Sequence, residues 1–303
     1  MQRRSVLSLG VLATIWGSSF LFMKVGLHGL GPVQIVLARL FFGALVLTTV
    51  LLARRTRFPR TPSTWGHLAV AAVFGNVLPY FSFAWAEQYV ASNVAGVLNA
   101  STPLFTLLLS LAATSERRVS PARVLGLVVG FAGVMVILQP WQHLGVAGPW
   151  QGQLACLVAA FSYGISYIYI SRFITGLGLS APVLAASQLT TATVILGVTA
   201  PLTATHPIDL TWAVVGSMLG LGALGTGVAY ILLYRLINDE GPTAASTVTY
   251  LIPIVAVVLG VLVLGEPLTW SLAVGTVIIL TGVALTNRTP RRRRQDATTP
   301  QAA

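Results

Sequence analysis

Two pairs of side chains, Asn76 with Tyr80 and Tyr163 with Tyr167, stand four residues apart inside apolar runs, a spacing that places both members on one helix face. Trp16, Ser19, Asn99, Tyr230, Thr249 and Tyr250 also interrupt apolar runs. Together they suit non-covalent recognition: aromatic faces for stacking, and a few hydroxyl and amide groups that fix the orientation of an amphipathic or aromatic small molecule. Each has a plainer alternative in helix packing or an interfacial aromatic belt. Two full charges, Lys24 and Arg39, lie in the same runs, where each would attract an anionic or carboxylate-bearing ligand. Otherwise Lys24 snorkels to a polar boundary and Arg39 bonds to carbonyls.

Bond-making chemistry has no comparable support. The seven acidic residues, Glu87, Glu116, Asp209, Asp239, Glu240, Glu266 and Asp296, fall at the ends of apolar runs or beyond them, as do His28, His67, His143 and His206. An enzyme needs such groups clustered, so none is expected, and no cofactor or metal site is expected either. Cys156 is the one cysteine and reads as a small packing residue. The Gly220-x-Gly222-x-x-Gly225 pattern matches a dinucleotide fingerprint but follows no strand, and reads as helix packing. Proton relays usually rest on a buried Asp, Glu or His, so proton coupling through a mid-membrane carboxylate is disfavoured; Glu87, at the outer end of the third apolar run, is the best remaining candidate, its alternative being a solvated loop position.

The elements that position these residues are set by composition. Hydrophobic residues make up 55% of the 303 and charged residues 8%, against about 25% charged in a soluble domain. A bilayer core about 30 Å thick takes about 20 apolar residues per helix. Apolar runs bounded by polar, charged or proline residues give ten spans: Ser5–Leu27, Pro32–Ala53, Trp65–Ala86, Ala91–Ala113, Ala122–Leu138, Trp150–Phe173, Ala181–Leu202, Trp212–Leu236, Thr243–Leu264 and Leu268–Thr286. Of the eighteen Lys and Arg, all but Lys24 and Arg39 fall at or beyond span ends on one side if the spans alternate. The positive-inside rule then puts both termini in the cytoplasm. This placement accounts for the net charge of +11 without nucleic-acid binding.

The spans also repeat. At an offset of 150, Asn99 and Pro103 meet Thr249 and Pro253, and Glu116 meets Glu266; at 149, Gly126 and Gly133 meet Gly275 and Gly282. Trp16-Gly17-Ser18-Ser19-Phe20 meets Tyr163-Gly164-Ile165-Ser166-Tyr167. Five spans per half is an odd number, so the second copy must be inverted in the bilayer. The expected fold is an all-α integral membrane protein of ten transmembrane helices in two inverted five-helix repeats, 1–139 and 140–290, with a disordered basic cytoplasmic tail, 291–303. Proline inside a span frees a carbonyl one turn back, here those of Asn99 and Thr249, so Pro103 and Pro253 are either paired hinges or packing bends. Gly126-x-x-x-Gly130 serves either packing or dimerisation, and a monomer or a homodimer is expected.

The Trp16-Gly-Ser-Ser-Phe segment, the Asn99/Pro103 and Thr249/Pro253 pairs and the Gly265-Glu266-Pro267-Leu268 turn before a glycine-spaced last helix resemble the EamA-type branch of the drug/metabolite transporter superfamily, from Val6 to Asn287. The resemblance implies a multi-pass protein of the bacterial plasma membrane that exports amino acids or related small metabolites. The expected function is therefore secondary active export of amino-acid-like or drug-like molecules by alternating access. Uptake or exchange is the alternative. A channel is disfavoured because a doubled, asymmetric chain suits a carrier.

Overall fold

The computed structural model describes residues 3–113, 120–140, 150–241 and 245–286, and every regular element among them is helical. Glu116, Arg117, Arg118, His143, Arg288, Asp296 and the tail arginines Arg291, Arg292, Arg293 and Arg294 lie outside the described residues. The helices, numbered in chain order, are α1 (Arg3–Gly26), α2 (Pro32–Ala53), α3 (Pro62–Ala86), α4 (Ser92–Ala113), α5 (Pro121–Leu138), α6 (Trp150–Leu177), α7 (Ala181–Thr203), α8 (Trp212–Glu240), α9 (Val248–Leu264) and α10 (Trp270–Thr286). Eight are long and apolar enough to cross a membrane, and α9 and α10 are shorter apolar helices of 17 residues each.

Local chemistry sets where these helices start and bend. Proline stands at the first or second position of α2, α3, α5 and α7, where its missing N–H costs nothing. Ser120 and Thr211 cap α5 and α8 by accepting from the amides of Arg123 and Val214. Pro103 interrupts α4: the helix stops at Asn99 and resumes at Thr102, and the Asn99 carbonyl accepts from the Thr102 hydroxyl at 2.8 Å. By contrast, Pro253 is carried inside an unbroken α9. The helix α3 widens into a π-helical stretch at Val73–Val77, just before Pro79, and α8 does so along its glycine-rich Gly220–Val228.

The principal packing pairs are α1 with α8 and α9, α6 with α3 and α4, α2 with α7 and α8, α3 with α7, α4 with α9, and α5 with α10. Replacing each helix by the one five places away returns the same set of pairs. The α5–α10 pair is the closest packed. A Cβ on Gly126 would stand 2.7 Å from the Gly282 carbonyl oxygen, and one on Gly282 would overlap the Gly130 backbone. Gly126 and Gly130 therefore serve packing within the chain. The dinucleotide-like glycines do the same: Gly222 lies against the Arg39 carbonyl on α2, and Gly220 against Phe22 on α1.

Large apolar side chains cover the outside. Trp150, Trp212 and Trp270 open α6, α8 and α10, and the last two are 90% and 86% exposed. A ring of tryptophan at one level suits a membrane interface. At that same end Asp209 donates its amide to the Gly29 carbonyl and Gln34 its side-chain amide to the His206 carbonyl. The described loops there, 27–31, 87–91, 204–211 and 265–269, contain no Lys or Arg. Arg54, Arg55, Arg57, Arg60 and Arg172 belong to the opposite end, where His67 at the start of α3 meets Tyr169 near the end of α6 at 2.8 Å.

Candidate functional site

A cavity of about 700 Å³ lies among helices of both halves. Its walls at mid-bundle are Trp16, Ser19, Phe20 and Met23 from α1, Arg39 from α2, Tyr80 and Phe83 from α3, Tyr163 and Tyr167 from α6, and Tyr230 from α8. From there it runs past Asn99, Thr102, Pro103, Thr106, Ser110, Thr249 and Ile252 to Arg123, Ser246 and Thr286. Those last residues stand near the start of α5, before α9 and at the end of α10, so the cavity extends toward the arginine-rich end.

Aromatic packing at mid-bundle is paired across the halves. Trp16 meets Tyr230 edge-on with ring centroids 6.5 Å apart, and Tyr163 meets Tyr80 in the same manner at 6.5 Å. Tyr80 and Tyr230 are 150 positions apart, Trp16 and Tyr163 are 147. The Trp16 indole also donates to the Gly225 carbonyl in the π-helical stretch of α8 at 3.1 Å.

A polar chain crosses the bundle behind these rings. Gln188 on α7 donates to the Asn76 amide oxygen at 2.7 Å and to the Ala71 carbonyl at 3.0 Å. Asn76 donates to the Tyr80 hydroxyl at 3.3 Å, and the Arg39 guanidinium carbon sits 3.7 Å from the Tyr80 ring centre. The Arg39 Nε donates to the Thr226 hydroxyl at 3.1 Å, and that hydroxyl donates to the Leu221 carbonyl at 3.1 Å. A buried polar group is costly unless partnered, and this chain meets the needs of Gln188, Asn76 and Thr226, each nine-tenths or more buried.

The arginine-poor end is tied shut. Glu266 accepts from the Ser92 amide at 2.6 Å, the Ser92 hydroxyl at 3.0 Å and the Asn93 amide at 2.9 Å, so a carboxylate caps α4 from across the bundle. Gly265 makes this possible by taking a left-handed conformation, φ 66°, which ends α9 and turns Glu266 back toward α4. The Lys24 ammonium donates to the carbonyls of Glu87 and Val90, where α3 ends. Glu87 is fully buried with no hydrogen-bond partner on either oxygen. Burial pushes its carboxyl well above the ordinary carboxylate range, against the pull of the Lys24 ammonium; Glu266 adds to the rise and Arg39 opposes it. A smaller cavity of about 260 Å³ adjoins this seal, lined by Lys24, His28, Glu87 and His206 among others.

Of the residues singled out in the sequence, Trp16, Ser19, Arg39, Tyr80, Asn99, Pro103, Tyr163, Tyr167, Tyr230 and Thr249 line the large cavity. Four others stand elsewhere. Lys24 is bonded at the sealed end; Asn76 lies behind Tyr80 and orients it; the Tyr250 hydroxyl donates to the Val283 carbonyl on α10; and Pro253 is buried within α9. Sequence reasoning missed Phe20, Met23 and Phe83, although Phe20 and Met23 follow Trp16 by four and seven residues on its helix face. It also missed Thr102, Thr106 and Ser110, a polar stripe at four-residue spacing. Nothing local marks Gln188 or the role of Glu266, whose partners are more than 100 residues away.

Comparison with known proteins agrees with this architecture. The chain is similar to the E. coli K12 inner membrane transporter YedA, itself uncharacterised: 28% identity, with 89% of this chain and 87% of that protein covered. It is also similar to a probable terminal-alkyne amino-acid exporter of Streptantibioticus cattleyicolor, 26% identical over 98% of each chain. One solved crystal structure superposes with a TM-score of 0.64 at 19% identity, covering 95% of this chain and 98% of that one, which shows a shared fold. The family model of the EamA-like transporters matches twice, over residues 4–139 and 150–288. Matched by both copies across nearly its whole length, the chain belongs to the EamA-like transporter family and is a multi-pass protein of the plasma membrane.

Proposed function

We propose that the protein is a secondary transporter that exports small amino-acid-like or drug-like metabolites by alternating access. In this reading ten helices cross the bilayer as two inverted five-helix halves, both termini are cytoplasmic, and no covalent chemistry is performed. The observation that carries it is the cavity itself: about 700 Å³, aromatic-walled, shared by both halves, and extending toward one end of a bundle whose other end is bonded shut. An inverted repeat allows the mirror arrangement, closed at the first end and open at the second, at nearly equal energy. Support for the outward direction comes from the S. cattleyicolor relative, named a probable exporter.

The test is counterflow in liposomes containing the purified protein, with a labelled panel of amino acids and aromatic metabolites, with and without a proton gradient. Saturable exchange is expected. Flux that grows linearly with concentration would mean a channel and overturn the proposal. Reporter fusions after Arg57 and after Arg172 are both expected to report the cytoplasm; opposite sides would overturn the inverted topology.

A further inference from the structure

We propose that Arg39 is the anchor for a carboxylate, so that the cavity selects aromatic or amphipathic molecules bearing one negative group over neutral or cationic ones of the same shape. This rests on the carrier reading above and names its substrate class.

The argument starts from a difference between the two halves. Arg39 on α2 and Gln188 on α7 are 149 positions apart, and their partners Thr226 on α8 and Asn76 on α3 are 150 apart. The Arg39–Thr226 bond in one half therefore corresponds to the Gln188–Asn76 bond in the other. Yet the two side chains are not equally satisfied. The Gln188 amide nitrogen has two acceptors, the Asn76 oxygen and the Ala71 carbonyl. Arg39 has five N–H donors, of which only Nε has a hydrogen-bond partner among the described residues.

Arg39 is 8% exposed and lines the large cavity. The Tyr80 ring 3.7 Å away and the Nε bond to Thr226 hold the guanidinium plane in place. Among the described residues no acidic side chain lines the cavity, and a second cation, Arg123, lines its arginine-rich end. Glu87 bears no hydrogen bond to Arg39. A charge at this depth in a membrane protein is expensive and calls for a compensating partner. The pre-positioned guanidinium fork matches a carboxylate, and the Trp16–Tyr230 and Tyr80–Tyr163 pairs supply apolar walls on either side.

The test uses the full-length protein and three probes that share a ring and chain: 3-phenylpropionate, 3-phenylpropanol and phenethylamine. Calorimetry in detergent reads binding, and exchange of each labelled probe in liposomes reads transport. Wild-type protein is expected to bind the carboxylate at least about tenfold more tightly than the other two, and Arg39→Gln to lose about 10- to 100-fold for the carboxylate alone. Arg39→Lys, which keeps the charge and guards against a folding failure in Arg39→Gln, is expected to retain the preference with weakened affinity. Equal binding of the three probes, no binding of any, or an equal effect of substitution on all three overturns the anchor. Binding of the carboxylate without exchange overturns the carrier and leaves the anchor standing. Exchange of all three alike does the reverse.

Discussion

Replacing Glu266 by Gln should unlatch the sealed end of the bundle. The carboxylate accepts three hydrogen bonds from Ser92 and Asn93, residues 1% and 0% exposed at the start of α4. A glutamine keeps one acceptor oxygen and turns an NH2 group toward a buried backbone N–H, leaving that donor unmet. Losing one bond to a charged acceptor under these conditions costs about 1.5–3 kcal/mol. If the latch exists only in the sealed arrangement, the balance with the open one moves by about 10- to 150-fold. The chain carries its own reporter, since its single cysteine, Cys156, is 0% exposed and sits less than two turns from the start of α6 at this end. With opening fast relative to reaction, the labelling rate by a small methanethiosulfonate in membranes follows the open population. Glu266→Gln is expected to speed labelling of Cys156 by about 10- to 150-fold. An unchanged rate in a protein with an unchanged melting curve would refute the latch.

Other perturbations test the frame around it. Gly282→Ala drives a methyl into the Gly130 backbone and should destabilise the α5–α10 pair by about 1–3 kcal/mol or more, read as a lower melting temperature in detergent. Gln188→Leu removes the donor to the Asn76 oxygen, while the Ala71 carbonyl keeps the Ser166 hydroxyl, and should cost about 1–3 kcal/mol in the same assay. For Glu87 the sign follows from its raised pKa: its contribution to stability is complete below the unfolded carboxyl's value and is lost as pH rises toward the folded one. Melting temperature should therefore fall from about pH 4.5 upward, and Glu87→Gln should flatten that slope; equal slopes would show that Glu87 is not the titrating group.

Much was decided locally. Apolar run length determined the helices, because each span must satisfy its backbone internally and each break needs proline, glycine or charge. The offsets of Asn99 and Pro103 against Thr249 and Pro253 exposed the repeat, and polar interruptions of apolar faces, such as Trp16, Arg39, Tyr80 and Tyr163, marked the cavity wall. What the sequence left open was partner choice. Lys24 and Arg39 look alike as isolated charges in apolar runs, yet one is engaged by the Glu87 and Val90 carbonyls and the other faces the cavity. Glu266 reads as a loop residue until α4 is packed beside it, and Gln188 as an ordinary polar interruption until Asn76 lies 2.7 Å away. Spacing along one helix sets which side chains share a face, but only the packing of several helices decides which buried donors find acceptors and which are left for a ligand.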